Sequence, residues 1–463
     1  MNAPEKPEKF AIAFFGEICY TDKNAHGGGG RMNLSQTRYT LSKFNVFHQN
    51  GDVQYIWNTY SGALLGLDKD ARKYVSEFSG LDDGSVYFNT LKDNGFIVIE
   101  QLDEFGRICF QEKRALFTRS VEEIQFVITL GMGCNYKCWY CFENENRSSV
   151  KMAPETAIAS ADYIIKQLKN NPTVKTLRVS WFGGEPLLYT DIIEVIGSKL
   201  FEYVNDNNIK FDTMLTTNGR FLDADTLGKM LKIGINKAQI TLDGMRESYI
   251  KNKGASSEDF DCVIDNLCNA AEKVEFTVRL NISDANEAIA ISDYLLAEHN
   301  LKGKIKLILA FVRDYSMSPD KSKQSFIDYV DTHSQWIDYV YKKYGASSLH
   351  IAGFPRRMNT ACGFICSDNI SIGAKGELYK CDLSLGNDLM TVGDVWNGRF
   401  YNEAEFAHYV TIEHKSECLQ CAYLPVCMGG CVMHRIKKYG GFDCDALKRW
   451  RLKQKFLQGG MLI

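Results

Sequence analysis

Cys134, Cys138 and Cys141 fall within eight residues, separated by three and then two others, in the run Gly133-Cys134-Asn135-Tyr136-Lys137-Cys138-Trp139-Tyr140-Cys141. Thiols this close converge on a shared partner, and a disulfide between two would leave the third over. Iron–sulfur clusters prefer thiolates, usually four, so three protein ligands leave one iron open to an exogenous ligand. Zinc is an alternative, although its cysteines usually come as C-x2–4-C with a distant second pair. Three buried thiols without a ligand are another.

A second array lies far downstream. Residues 361–445 carry Cys362, Cys366, Cys381, Cys418, Cys421, Cys427, Cys431 and Cys444. Cys366 is followed by nine residues, Gly376, four residues and Cys381; then comes Cys418-x2-Cys421-x5-Cys427-x3-Cys431, with Cys444 beyond. Cys418-x2-Cys421 could also open a four-cysteine zinc site. Cys109, Cys262 and Cys268 stand outside both arrays and read as core or surface thiols.

Elements must position these groups. The apolar run Phe126-Val127-Ile128-Thr129-Leu130 before the first three cysteines reads as a buried strand leading into a glycine-flanked loop. Candidate strands at 125–130, 175–182, 209–216, 237–242, 274–281 and 304–311 alternate with amphipathic helices such as Glu155–Leu168, Asp191–Val204 and Phe260–Glu272. Six βα units predict a parallel sheet with right-handed crossovers. In barrels of this kind the chemistry sits on loops at the C-terminal ends of strands, where the cysteine loop falls. The second strand ends in Gly183-Gly184-Glu185-Pro186, the third in Thr216-Thr217-Asn218-Gly219, the fourth in Thr241-Leu242-Asp243-Gly244 and the fifth in Arg279-Leu280-Asn281. Two glycines permit a close backbone approach, and Glu185 complements an ammonium. Each of these segments, taken alone, also suits a turn or cap.

C-x-x-x-C-x-x-C with an aromatic, here Tyr140, before the third cysteine resembles the radical S-adenosylmethionine (SAM) superfamily. The resemblance implies an α/β fold built on a partial (β/α)6 radical SAM barrel. It implies a 4Fe-4S cluster on Cys134, Cys138 and Cys141 whose open iron chelates SAM, and one-electron cleavage to a 5′-deoxyadenosyl radical that takes a substrate hydrogen. Gly183, Gly184, Glu185 and Pro186 match the motif that holds the SAM amino group. Tyr140, Thr217, Asn218, Asp243, Arg279 and Asn281 are implied as further SAM contacts.

The second array is similar to the SPASM extension of radical SAM enzymes that modify peptides. That resemblance implies two auxiliary clusters, one on Cys362, Cys366, Cys381 and Cys431 and one on Cys418, Cys421, Cys427 and Cys444, for three 4Fe-4S clusters in all. Asp382, directly after Cys381, matches an aspartate placed to take a substrate proton in sulfatase-maturing relatives; a turn aspartate bonding its own backbone is the other reading.

Residues 36–118 are laid out as a small domain. A strand over Tyr39–His48 and its return over Val53–Asn58 flank the turn Gln49-Asn50-Gly51-Asp52; helices follow at Asp68–Phe78 and Val86–Asn94, then a strand at Phe96–Ile99 and a helix at Asp103–Phe117. This is a winged-helix-like plan, yet Val86–Gly95 is nearly neutral, which speaks against phosphate binding. The layout, with Tyr60-Ser61-Gly62-Ala63-Leu64-Leu65, resembles the leader-peptide recognition domain of radical SAM peptide maturases, which binds by strand addition.

The expected organisation is a flexible arm at 1–35, the front domain at 36–118, the barrel at 119–312, a helical bridge at 313–360, the cluster domain at 361–445 and a basic tail at 446–463. Within the arm, Phe10–Phe15 is an apolar island followed by Cys19, which could mimic a peptide in a groove.

Composition narrows the class. The chain has 463 residues, fifteen cysteines and a formal net charge of −3, so no strong nucleic-acid or membrane field is expected. No apolar run approaches a membrane span, and the N-terminal residues lack a signal-peptide plan. A reducing cytoplasm is expected. The expected function is maturation of a ribosomally made precursor peptide with a leader, installing a thioether or carbon–carbon cross-link with electrons from an external flavodoxin- or ferredoxin-type donor. Formylglycine formation by a sulfatase-maturing enzyme and peptide epimerisation are the alternatives within the family. A non-catalytic peptide-binding or electron-transfer protein is the alternative outside it.

Overall fold

A computed structural model describes residues 12–13, 37–50, 52–117, 122–141, 143, 148–310, 312, 319–350, 356–366, 369–399, 402–411 and 413–432. Cys19, Cys444 and the basic tail at 446–463 lie outside the described residues, as does the arm apart from 12–13.

The front of the chain comprises β1 (Ile12–Ala13), β2 (Tyr39–Leu41), β3 (Asn45–Asn50), β4 (Val53–Asn58), β5 (Leu64–Leu67), α1 (Lys69–Ser76), α2 (Val86–Asp93), β6 (Ile97–Ile99) and α3 (Glu104–Phe117). Asp68 and Ser85 cap α1 and α2 by accepting the N–H groups of Ala71 and Phe88, and Asp103 does the same for Gly106 at the start of α3. Gly95, at φ +76°, stops the chain just beyond α2.

One strand expected from Tyr39 to His48 is two strands in two sheets. β2 pairs antiparallel with β6, whereas β3 pairs with β4 in the four-stranded order β1-β5-β4-β3. The break has a local cause. Ser42 Oγ and the Lys43 N–H both donate to the Glu104 carboxylate, at 2.5 and 2.8 Å, and Asn45 Nδ2 donates to the Phe96 carbonyl at 2.7 Å. Phe44 drops into the core between them.

The parallel βα unit, expected as a partial barrel, follows with β7 (Glu123–Thr129), α4 (Pro154–Lys169), β8 (Thr176–Phe182), α5 (Thr190–Asp206), β9 (Lys210–Thr217), α6 (Ala224–Lys232), β10 (Lys237–Leu242), α7 (Arg246–Lys253), α8 (Ser257–Ala270), β11 (Glu275–Leu280), α9 (Ala285–Asp293) and β12 (Ile305–Leu309). The six strands lie side by side in sequence order, all parallel, so the expected mixed α/β core is present. β8 shows the period-two logic: Leu177, Val179 and Trp181 are buried while Arg178 reaches out to Glu123 and Asp212. Trp181 donates its indole N–H to Thr213 on β9 at 2.8 Å, which satisfies the one polar atom of a fully buried ring.

α10 (Pro319–Tyr344) packs on this barrel. Trp336 donates to Ser292 Oγ at 2.9 Å, Tyr344 to Asp293 at 2.6 Å, and Ile337 and Val340 join the barrel core. Beyond it, β13 (Ile370–Ile372), β14 (Glu377–Tyr379), β15 (Gly393–Asp394) and β16 (Gly398–Arg399) form an antiparallel meander, followed by α11 (Glu403–Val410) and α12 (Leu424–Cys427). β13 lies parallel against β7 with Ser371 opposite Val127, so the meander extends the barrel sheet at its first strand. The front sheet in turn sits on the late cysteine segment. Val46, Trp57 and Leu64 pack with Val426, and Thr59 Oγ1 donates to the Ala422 carbonyl at 2.5 Å. No helix among the described residues is long and apolar enough to cross a membrane.

Candidate functional site

The cysteine loop leaves β7 and is held by three neighbouring segments. The N–H groups of Gly184 and Glu185 donate to the carbonyls of Gly131 and Gly133 at 3.1 and 2.9 Å, so the Gly-Gly-Glu-Pro segment after β8 lies directly against it. A Cβ on Gly184 would fall 2.2 Å from the Gly133 oxygen, and one on Gly183, at φ +127°, 2.4 Å from the Gly131 oxygen. The two glycines thus serve the approach of one loop to another. Tyr189 OH accepts the Gly133 N–H at 3.1 Å. On the far side, the carbonyls of Lys253 and Asn252 accept the N–H groups of Lys137 and Trp139.

Cys134, Cys138 and Cys141 are all partly buried, and no disulfide joins cysteines among the described residues. Burial pushes the Cys138 thiol up, Lys253 opposes this, and Asp243 and Cys141 add to it. Among the described residues no group of three or more His, Cys, Asp or Glu side chains is gathered as around a single metal ion.

Polar residues at the strand ends form two hydrogen-bonded chains. Glu185 is buried; Oε1 accepts from Thr217 Oγ1 at 2.6 Å and the Leu187 N–H at 3.0 Å, and Oε2 accepts the Asn218 N–H at 2.8 Å. Burial raises its pKa against the pull of these bonds. The carboxylate ties the end of β8 to the end of β9, a bracing duty that the sequence reading did not include. Asn218 passes the connection on, donating to Asn135 Oδ1 in the cysteine loop at 2.8 Å. Pro186 opens the short 3-10 turn that follows, Pro186–Tyr189.

Around the barrel, Tyr140 OH donates to Asp243 Oδ2 at 2.6 Å, Asn281 Nδ2 donates to Tyr140 OH at 3.1 Å, and Arg279 Nε donates to Asn281 Oδ1 at 3.0 Å. Burial, and then the charge of Asp243, push the Tyr140 hydroxyl far up, so it remains a donor. The structure therefore brings Tyr140, Asp243, Arg279 and Asn281 into one chain of contacts, and Glu185, Thr217 and Asn218 into a second. Both chains end on the cysteine loop.

In the later array, burial first, then repulsion from Asp382, Cys431 and Cys362, push the Cys381 thiol up to about 12. Cys362 and Cys381 both pack against the apolar cluster that includes Leu116, Ile365 and Tyr379. Thr360 Oγ1 lies 3.7 Å from Cys366 Sγ, and its hydroxyl donates to the Cys362 carbonyl at 3.3 Å. The Cys421 N–H donates to the Cys418 carbonyl at 3.1 Å; Cys427 is buried, whereas Cys431 is exposed. Asp382 is partly buried, accepts a short hydrogen bond from Ser371 Oγ, and has its pKa raised by desolvation. Because Ser371 sits beside Val127, this carboxyl belongs to the seam between meander and barrel.

Asn135, Tyr189, Asn252 and Lys253 were not singled out from sequence. Asn135 and Tyr189 had positional cues, one inside the cysteine run and one just past the Gly-Gly-Glu-Pro segment. Asn252 and Lys253 had none, because their part depends on where α7 ends in space.

Residues 128–283 match the sequence model of the Radical SAM superfamily. The chain is 22% identical over 477 residues to the radical SAM cyclopropyl synthase TigE of Paramaledivibacter caminithermalis, covering 90% of this chain and 95% of that one. Its fold is similar to native anSMEcpe with bound AdoMet and Cp18Cys peptide, at TM-score 0.55 and 18% identity over 74% of this chain and 100% of that one. It is also similar to Streptococcus suis SuiB, at TM-score 0.50 and 17% identity over 88% of this chain and 99% of that one. With the cysteine loop, the Gly183–Pro186 segment and six parallel strands in place, this chain carries a radical SAM domain at residues 128–283.

Proposed function

We propose that this chain is a radical SAM enzyme that matures a peptide. The observation that carries the reading is the pair of hydrogen bonds from Gly184 and Glu185 to Gly131 and Gly133, which set the Gly-Gly-Glu-Pro backbone beside a loop of three thiols. The donor set fits an iron–sulfur cluster: one short loop supplies only sulfur ligands, three of them. Cys134, Cys138 and Cys141 would hold the 4Fe-4S cluster, and Gly183, Gly184, Glu185, Pro186, Thr217, Asn218, Asp243, Arg279 and Asn281, with Tyr140, would hold SAM. When bound, that pair supplies one-electron cleavage of SAM and abstraction of a substrate hydrogen atom.

The chain's own residues keep this place rigid. Glu185 fixes the ends of β8 and β9 relative to each other, and Asp243 fixes Tyr140 through a partly buried, charge-assisted hydrogen bond. The later cysteines are read as a SPASM domain with two auxiliary clusters, one on Cys362, Cys366, Cys381 and Cys431 and one on Cys418, Cys421, Cys427 and Cys444. The packing of Cys362 and Cys381 against one apolar cluster supports the first set. The front domain is read as a winged-helix-like leader-binding module. In support, an extended segment, Ile12–Ala13, already lies antiparallel along the edge of β5. An external one-electron donor and a cytoplasmic setting complete the reading.

Among bond types, the cyclopropyl synthase activity of the relative named above favours carbon–carbon bond formation over a thioether. A second reading, formylglycine formation, draws on Asp382: its partly buried carboxyl, with a raised pKa, is suited to taking a proton.

Two measurements test the proposal. The chain reconstituted with iron and sulfide, given dithionite and SAM, should release 5′-deoxyadenosine; no release overturns the reading. Co-expression with the short open reading frame beside its gene should give a peptide two hydrogens lighter that does not react with hydrazide. A hydrazide-reactive aldehyde supports the formylglycine reading instead. An unchanged mass with inverted stereochemistry means epimerisation and overturns cross-linking.

A further inference from the structure

α7 ends on Lys253, and this one residue meets the cysteine loop from two directions. Its carbonyl accepts the Lys137 N–H at 2.9 Å. Its side chain turns into the barrel, where Nζ donates to Thr241 Oγ1 at 2.8 Å and stands 3.7 Å from Asp243 Oδ1. The Lys253 and Asp243 side chains are 2% and 0% exposed. The rings of Tyr136 and Tyr249 lie near the ammonium, at 6.0 and 5.5 Å.

A buried ammonium is expensive, so its place needs a reason. Asp243 is one partner, but it also receives Tyr140 and Asn281. The carbonyl end of α7, which carries partial negative charge, points at the backbone of residues 137 and 139. Thiolates at Cys138 and Cys141 would add to it. The position of Lys253 answers this: its ammonium lies 6.0 Å from the ring centre of Tyr136, which stands between Cys134 and Cys138 in the loop, and 3.7 Å from Asp243. Reduction of a cluster adds one more negative charge at the same place, and net charge is among the factors that set such potentials.

We propose that Lys253 is a positioning residue that sets the reduction potential of the cluster on Cys134, Cys138 and Cys141, its buried ammonium stabilising the reduced, more negative state. This rests on the reading of those cysteines as cluster ligands. The cation lies behind the loop, on the barrel side.

The test is a redox titration of the reconstituted full chain, followed by electron paramagnetic resonance without SAM. Lys253→Met removes the charge and keeps an unbranched stem. It should shift the reduced-to-oxidised ratio at fixed potential at least tenfold toward oxidised, about 59 mV for one electron. Lys253→Arg should recover most of that shift. A Met variant with the parent potential, or an Arg variant as low as Met, overturns the proposal. Should Lys253→Met take up no iron, Lys253→Met with Asp243→Asn removes both charges together. Loading restored near the parent potential supports the charge role, and loading still lost shows that shape is what counts and overturns it. The signal of the triad is identified by its loss in Cys134→Ala/Cys138→Ala/Cys141→Ala. If that variant keeps every parent signal, the cluster reading itself falls, whatever Lys253 does.

Discussion

Tyr140 OH donates to Asp243 Oδ2 across 2.6 Å, and this bond ties the cysteine loop to the C-terminal end of β10. Tyr140→Phe keeps the ring and deletes the bond. The expected cost is about 1–3 kcal/mol, because a buried carboxylate loses a donor while Asn281 and Lys253 remain. Urea denaturation checks the cost. SAM affinity should fall in the same variant while iron content stays at the parent level; unchanged affinity would detach Tyr140 from the proposed SAM site.

Gly184 and Gly228 give opposite expectations for the same substitution. A methyl at Gly184 meets the Gly133 and Met132 oxygens at 2.2 and 2.9 Å, both backbone, so the cysteine loop must move. Gly184→Ala should cost about 1–3 kcal/mol and reduce iron uptake. Gly228, inside α6, has nothing within 4 Å of an added Cβ. Gly228→Ala should stabilise by about 0.4–1 kcal/mol. Paired thermal melts and iron assays decide; equal effects at the two sites would contradict the packing described.

His333 on α10 is buried between the rings of Tyr329 and Trp336, each centred 5.6 Å away. Burial lowers its pKa from 6.5 to about 4. A base with a depressed folded pKa stays neutral in the fold but is protonated in the unfolded chain. Its contribution is therefore complete above pH 6.5 and is lost as pH falls toward about 4. The loss should reach about 3 kcal/mol. His333→Gln should flatten that part of the stability profile, measured by denaturation between those limits; an unaltered slope would refute the assignment.

Replacing Cys134, Cys138 and Cys141 together by Ala should leave about two-thirds of the iron, as expected for three four-iron clusters of which one is lost. SAM cleavage should vanish. Complete loss of iron, or surviving cleavage, would contradict the division of the cysteines proposed above.

Much of the barrel was legible because its signals are local. Alternation at Leu177, Val179 and Trp181, amphipathic spacing along α4 and α5, and the polar strand ends after β8 to β11 each declare themselves within a few residues. The spacing of the cysteines is equally local, and it carries the resemblance to the radical SAM superfamily, whose sequence model residues 128–283 match.

Strand partners, by contrast, were decided by tertiary structure. Tyr39–His48 reads as one strand because its propensities are continuous. Glu104, more than sixty residues away, draws Ser42 and Lys43 out of line and sends Asn45–Asn50 into another sheet. Ile370–Ile372 gives no sign in sequence that it will extend the sheet at β7, since pairing depends on an edge that only the folded barrel exposes. Lys253 is the sharpest case. In sequence it is one lysine in a polar, lysine-rich helix end, where exposure is the rule. Only the path of α7 back across the barrel buries it beside Asp243 and behind the three cysteines, because burial and charge pairing belong to positions in space, which local sequence does not specify.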